Sequence, residues 1–239
     1  MAPAGVDGEA GNAFVGRVVM AGVDDPRETL AAAPAGATVG EELDLLDWRR
    51  SVFDLYASIR AAADGEAAWT RWREVRERLF RSHPQSPIAA AARGAFRGCT
   101  YFPYDPAARV YAEVSPLAPE QREIVTSTGA SYAFTRFGEA RFELYGARCS
   151  LEQYWLEGYG GGLFVPFGDG TSGETTYPAG RYLLDTVKGA DLGSVGGRLV
   201  FDFNFAYNPS CAYDPRWVCP LAPSANWLPV PVRAGEQTP

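Results

Sequence analysis

The chain has 239 residues, 46% of them hydrophobic, enough for one sizeable core, and no long polar linker divides it into independent domains. Its formal net charge is -7, and its basic residues are not gathered into runs with interleaved aromatics, which excludes a surface built to hold nucleic-acid phosphates. Ala13 to Val23 is moderately apolar but fails as an export signal, because Asp7 and Glu9 precede it, Arg17 interrupts it and Asp24-Asp25-Pro26 follows it. No stretch approaches the roughly 18 apolar residues that a membrane span needs. A cytoplasmic protein is expected, with Cys99, Cys149, Cys211 and Cys219 mainly as thiols.

Residues 1 to 39 are rich in Ala, Gly, Asp and Pro without a sustained period and read as a poorly ordered leader, with one short docked piece around Phe14 to Met20. From Glu41 the pattern turns helical. Leu45, Trp48, Val52, Leu55, Tyr56 and Ile59 recur at three- and four-residue steps, with Glu41, Glu42 and Asp44 favourably placed at the N-terminal end. Asp64-Gly65 breaks that helix, and a second stripe of Trp69, Trp72, Val75, Leu79 and Phe80 runs to Ser82. The result is an αα-hairpin over 40–82 whose indoles are expected to pack on the main body.

After His83-Pro84-Gln85-Ser86-Pro87 the period changes to two. Strands are expected at 109–114, 124–127, 132–137, 141–145, 151–155, 163–167, 181–186 and 199–207, with Gly138-Glu139 as a hairpin turn. So many short strands without helical crossovers predict a mainly β fold, an antiparallel meander over 100–207 that closes into a barrel or, alternatively, folds as a sandwich. An irregular, Pro-rich tail occupies 208–239, and the whole of 40–239 reads as one domain.

Three segments carry residue types with chemical potential. The loop from Gly168 to Gly180 is dense in hydroxyls, and Asp169, Ser172, Glu174 and Tyr177, with Arg181 just after it, form either a rim for an anionic or hydroxylated ligand or a hairpin loop stitched by Ser and Thr turns. Within 199–207, alternation sends Phe201, Phe203, Phe205 and Tyr207 to one face and Asp202, Asn204 and then Asn208 to the other, which lines a pocket or simply meets water. In the tail, Tyr213 and Asp214 lie between Cys211 and Cys219, a cysteine spacing that does not fit a zinc site. The two thiols are candidates for a redox pair or for small buried apolar residues. His83, the single histidine, is a candidate acid–base group or a structural neighbour of a helix C-terminus, and no Gly-x-Ser-x-Gly elbow accompanies it. Lys188 is the only lysine among 22 basic residues, and no mechanism is read into it.

Taken together, Ser82 to Pro87, Tyr101-Phe102-Pro103-Tyr104-Asp105-Pro106, Phe167 to Tyr182, and Asp202-Phe203-Asn204 through Cys211-Ala212-Tyr213 to Cys219-Pro220-Leu221-Ala222-Pro223 form one ordered set. This set resembles the domain of unknown function 1684 family of bacterial and archaeal proteins, over roughly residues 75 to 236. The resemblance implies no activity, substrate or cofactor. It implies an acidic residue before Asn226, where this chain has Ala225.

The sequence therefore predicts a pocket at one end of the β structure, where the 168–180 loop meets the tail. An enzyme using carboxylate and tyrosine acid–base chemistry on a small polar substrate would draw on Asp202, Asp214, Tyr213 and His83, with Arg181 orienting an anionic group or holding one of those carboxylates, and Asp202, Tyr213 and Asp214 are expected to converge with Arg181 around one cavity. No cofactor and no metal are expected. The other readings are a barrel that binds a ligand or partner without chemistry, its polar groups forming a hydrogen-bonded plug, and a thiol redox sensor.

Overall fold

The computed structural model describes residues 38–239. The leader expected over 1–39 lies outside the described residues except for Thr38 and Val39, and so does its docked piece. Helix α1, Val39–Ala61, opens on a reciprocal cap in which the Thr38 hydroxyl accepts from the Glu41 amide at 3.3 Å and the Glu41 carboxylate accepts from the Thr38 amide at 2.7 Å. Helix α2, Gly65–Ser82, is capped by Asp64, whose carboxylate accepts from the amides of Glu66 and Ala67. The hairpin buries Leu55, Tyr56 and Ile59 of α1 with Trp69, Trp72 and Phe80 of α2, so Trp69 and Trp72 are core residues. No helix among the described residues is long and apolar enough to cross a membrane.

Seven strands form one antiparallel sheet: β1, Arg109–Val125; β2, Ser131–Leu144; β3, Ala147–Leu156; β4, Gly162–Phe167; β5, Arg181–Asp185; β6, Ser194–Val195; and β7, Arg198–Asp202. Their order is β5-β4-β3-β2-β1-β7-β6, so the sheet has two edges and is not closed into the expected barrel. A single bridge, Tyr182 to Tyr207, joins the β5 edge to the chain that leaves β7, with the amide of each residue donating to the carbonyl of the other. One bridge is not a ladder.

Two expected pairs of strands are each one long strand. The 109–114 and 124–127 segments merge in β1, with a register shift between Pro116 and Glu120, and 132–137 and 141–145 merge in β2. Gly138-Glu139 is therefore not a turn. Gly138 sits at a bulge where Arg136 and Gly138 face consecutive residues of β3, and a Cβ there would stand 3.1 Å from the Ser115 carbonyl oxygen. The true hairpin turn is Tyr145-Gly146, both at positive φ, between the paired residues Leu144 and Ala147.

The 199–207 strand also ends early. Asp202 stops β7 by accepting from the Asn204 amide at 3.1 Å, and Phe203–Phe205 follow as a 3-10 turn. Strict alternation fails there: Phe201, Phe203 and Phe205 are buried, and so are Asp202, Asn204 and Asn208. The main core joins these phenylalanines to Trp72, Leu151, Phe167, Leu183 and Val232. A smaller apolar cluster, Ile124, Phe134, Tyr154, Phe164 and Tyr182, forms separately. Phe164 is in the smaller cluster while its neighbour Val165 is in the main one, as side chains on opposite faces of a strand must be.

Candidate functional site

Six of the expected polar residues, Asp202, Asn204, Asp169, Arg181, Asn208 and Tyr213, fall into two hydrogen-bonded networks. In the first, the fully buried Asp202 carboxylate holds Arg109 across the β1–β7 pair, Oδ2 to Nη1 at 3.2 Å, and accepts from the Asn204 amide and side-chain nitrogen on Oδ1. Burial raises the Asp202 pKa, against the bonds from Asn204 and Arg109 that lower it. Asn204 also clamps the turn before β1, its Oδ1 accepting from the Asp105 amide and its Nδ2 donating to the Asp105 carbonyl. Tyr145 extends the network by donating to the Asp105 carboxylate at 3.0 Å.

The second network runs along the tail. Arg181 is buried and donates to Asp169 Oδ2 at 2.9 Å and to the carbonyls of Val232, Ala234 and Glu236. The other oxygen of Asp169 accepts from the Thr171 amide and hydroxyl and from the Val232 amide. Glu236, fully buried, holds Arg76 of α2 through both guanidinium Nε and Nη2, and accepts from Tyr213 Oη at 3.0 Å and the Asn208 amide at 2.7 Å. Burial first, and the Glu236 charge second, push the Tyr213 pKa well above the ordinary phenol value, so this hydroxyl is a donor at neutral pH. Asn208 donates from Nδ2 to the Gln237 carbonyl, while its buried Oδ1 has no partner among the described residues.

Asp202 thus belongs to a different network from Arg181 and Tyr213. Asp214 bonds within its own turn, accepting from the Arg216 amide at 3.0 Å. His83 caps α2: its Nδ1 accepts from the Gln85 amide, which leaves Nε2 as the donor to Asp47 at 3.3 Å. Ser172 accepts from the Asp169 amide inside the loop, and Glu174 is exposed. The expected meeting of the 168–180 loop with the tail does occur, at several points: the Val232 amide donates to Asp169, the Ala222 amide to the Ala179 carbonyl and the Thr238 amide to the Thr175 carbonyl, and Tyr177 Oη lies 3.7 Å from Cys211 Sγ.

Open space lies elsewhere. A cavity of about 240 Å³ is lined by Tyr132, Phe134, Leu156, Phe164, Val187, Val218 and Pro220, with Asp185 and Lys188 as its charged groups. A smaller one, of about 70 Å³, lies between the helices and the tail, against Trp48, Tyr56, Trp72, Arg76, Phe80, Tyr207 and Asn208, and Lys188 lines this one too. Lys188 Nζ is 3.2 Å from Asp185 Oδ2, and that carboxylate raises the lysine pKa. Asp185 closes β5 and Lys188 ends the 3-10 turn that follows, so the pair is set by local chain geometry three residues apart. Sequence reasoning missed Arg76, Arg109, Asp185 and Glu236, and passed over Lys188. Its one available signal was that Lys188 is the sole lysine.

Asn226 is structural. Its side chain ties β3 to β4, donating to the carbonyls of Glu152 and Pro166 and accepting from the Glu152 amide, while Ala225 beside it is exposed.

No curated protein matches the chain. The uncharacterized protein from gene locus rrnAC0354 of Haloarcula marismortui, solved by NMR in solution, is similar at 36% identity over 72% of this chain and 94% of its own, with a TM-score of 0.53. The family model described as "Protein of unknown function (DUF1684)" matches residues 94–237, which span the sheet, the network residues except Arg76 and nearly all of the tail, and the chain belongs to that family.

Proposed function

We propose that the protein binds a small molecule with an apolar body and one polar end, seated in the aromatic-walled cavity of about 240 Å³ with the polar end against Asp185 and Lys188. The observation that carries this reading is the cavity wall, aromatic and branched apart from that one ion pair. Such a composition suits small-molecule recognition, because apolar walls supply affinity while a few polar groups fix orientation. The Lys188 ammonium offers donors to a carboxylate or carbonyl, and Asp185 accepts from a hydroxyl or amide. Binding is favoured over acid–base catalysis because Asp202, Asp214, Tyr213 and His83 already hold protein partners.

The test is saturable binding of anilinonaphthalene sulfonate and of a panel of aromatic and branched carboxylic acids, with native mass measurement for a co-purifying molecule. Lys188→Met should weaken acid binding about tenfold, or ~1.4 kcal/mol. Val218→Trp, at a half-exposed position on the cavity wall, should abolish it without lowering the melting temperature. No saturable binding, or binding unchanged in Val218→Trp, overturns the reading.

A further inference from the structure

The tail between Asn208 and Pro220 returns to its own start, so two cysteines eight positions apart meet. Cys211 Sγ is half-buried beside the Tyr177 hydroxyl at 3.7 Å, and the Cys211 amide donates to Cys219 Sγ at 3.4 Å. Cys219 is buried and held by its backbone: its amide donates to Ser127 Oγ at 3.2 Å, and its carbonyl accepts from the Ser127 amide at 2.9 Å. One thiol is half-buried beside a phenol. The other is fixed and enclosed, with its sulfur 3.4 Å from the backbone nitrogen of the first.

We propose that Cys211 and Cys219 form a hydroperoxide-responsive dithiol in which Cys211 is the attacking sulfur and Cys219 the resolving one. This site adjoins the proposed ligand cavity, whose wall includes Val218 and Pro220 on either side of Cys219, but it does not rest on that reading. The surroundings divide the roles. The neighbouring Cys219 thiol, and after it the Tyr177 hydroxyl, draw the Cys211 pKa below the ordinary thiol value, against the burial that would raise it. The Cys219 pKa moves up, as expected of the partner that keeps the proton. Burial pushes Cys99 up to about 12 and also raises Cys149, so neither competes as a thiolate at neutral pH.

In the first step the Cys211 thiolate attacks the distal oxygen of a hydroperoxide. The O–O bond breaks, the sulfur is oxidised to a sulfenic acid, and the departing alkoxide takes up a proton to leave as an alcohol. In the second step Cys219 sulfur attacks the sulfenyl sulfur. The S–S bond forms, and hydroxide leaves as water with the proton of the Cys219 thiol. The sum is two thiols and one hydroperoxide giving one disulfide, one alcohol and one water, and a dithiol reductant reverses the bridge.

The experiment treats the fully reduced chain with equimolar cumene hydroperoxide, then alkylates and maps the peptides. The expected product has lost two hydrogens and links the Cys211 and Cys219 peptides, with Cys99 and Cys149 still alkylated. In Cys219→Ser, dimedone should trap a sulfenic acid at Cys211; in Cys211→Ser, neither bridge nor adduct should form. Without oxidant, iodoacetamide at neutral pH should label Cys211 about tenfold faster than Cys149. Mapping and labelling of the wild-type chain decide the matter even if a variant fails to fold. Prior oxidation at Cys99 or Cys149, survival of both tail thiols under the treatment, or a dimedone adduct on Cys219 in Cys211→Ser would each overturn the proposal.

Discussion

At Asp202 a carboxylate stands in the core with three hydrogen bonds, yet its pKa is raised, so desolvation outweighs Arg109 and Asn204 together. A folded-state pKa above the unfolded one means that the native state holds this proton more tightly. The stabilisation is therefore fully present below the unfolded value, about 3.9, and is lost as pH rises through the folded value. Asp202→Asn keeps the shape and the acceptor that Asn204 uses while removing the charge. The variant is expected to melt at or above the wild-type temperature at pH 7, and the difference should vanish near pH 3. Melting curves across that range check it, and a loss at pH 7 of more than about 2 kcal/mol would show the ion pair to be the larger effect. Asp169 differs in kind, because its partner Arg181 is equally buried and has no water to turn to.

Between elements, the polar contact that fastens α2 to the end of the chain is Arg76 with Glu236. The Arg76 guanidinium also lies over the rings of Phe80, 4.4 Å from its centroid, and Tyr207, at 5.0 Å, so its charge is enclosed by apolar matter on several sides. Arg76→Leu would leave the Glu236 carboxylate with only Tyr213 and the Asn208 amide, an uncompensated buried charge that costs about 3–5 kcal/mol. Urea unfolding should register that loss. The double variant Arg76→Leu with Glu236→Gln should recover most of it, because the charge is then gone. If the double variant is no better than the single one, packing of the Arg76 stem is what the helix contributes.

For the whole molecule, the C-terminal stretch is part of the interior. Val232, Ala234, Gly235 and Glu236 are buried, and their carbonyls and amides satisfy Arg181, Asp169, Phe102 and Ala206. Deleting residues 232 to 239 removes the three carbonyl acceptors of Arg181 and the counter-charge of Arg76 in one cut. Such a chain should lose its near-ultraviolet circular dichroism and fail to unfold cooperatively, whereas deleting Pro239 alone should change nothing. A cooperative transition in the longer deletion would mean that water replaces those partners at little cost.

The sequence by itself determined what depends on neighbours along the chain. The helical stripes from Glu41 and the break at Asp64-Gly65 define the helical hairpin, the indoles at three-residue spacing face inward, and period-two segments mark most of the sheet, whereas the Thr38 cap fell within the expected leader. The family, too, was legible in its motifs. What the tertiary structure decided was pairing between distant parts. Gly138 reads locally as a turn, yet its role is the close approach of Ser115 from the neighbouring strand. Asp202 reads as a carboxylate in search of a cation, and only the β1–β7 register selects Arg109 over Arg181. Glu236 carries no local signal, since its importance comes from Arg76, Asn208 and Tyr213 converging on it from other segments. A cavity is the least legible feature, because it is the space that packed side chains leave between them, and no single position along the chain encodes it.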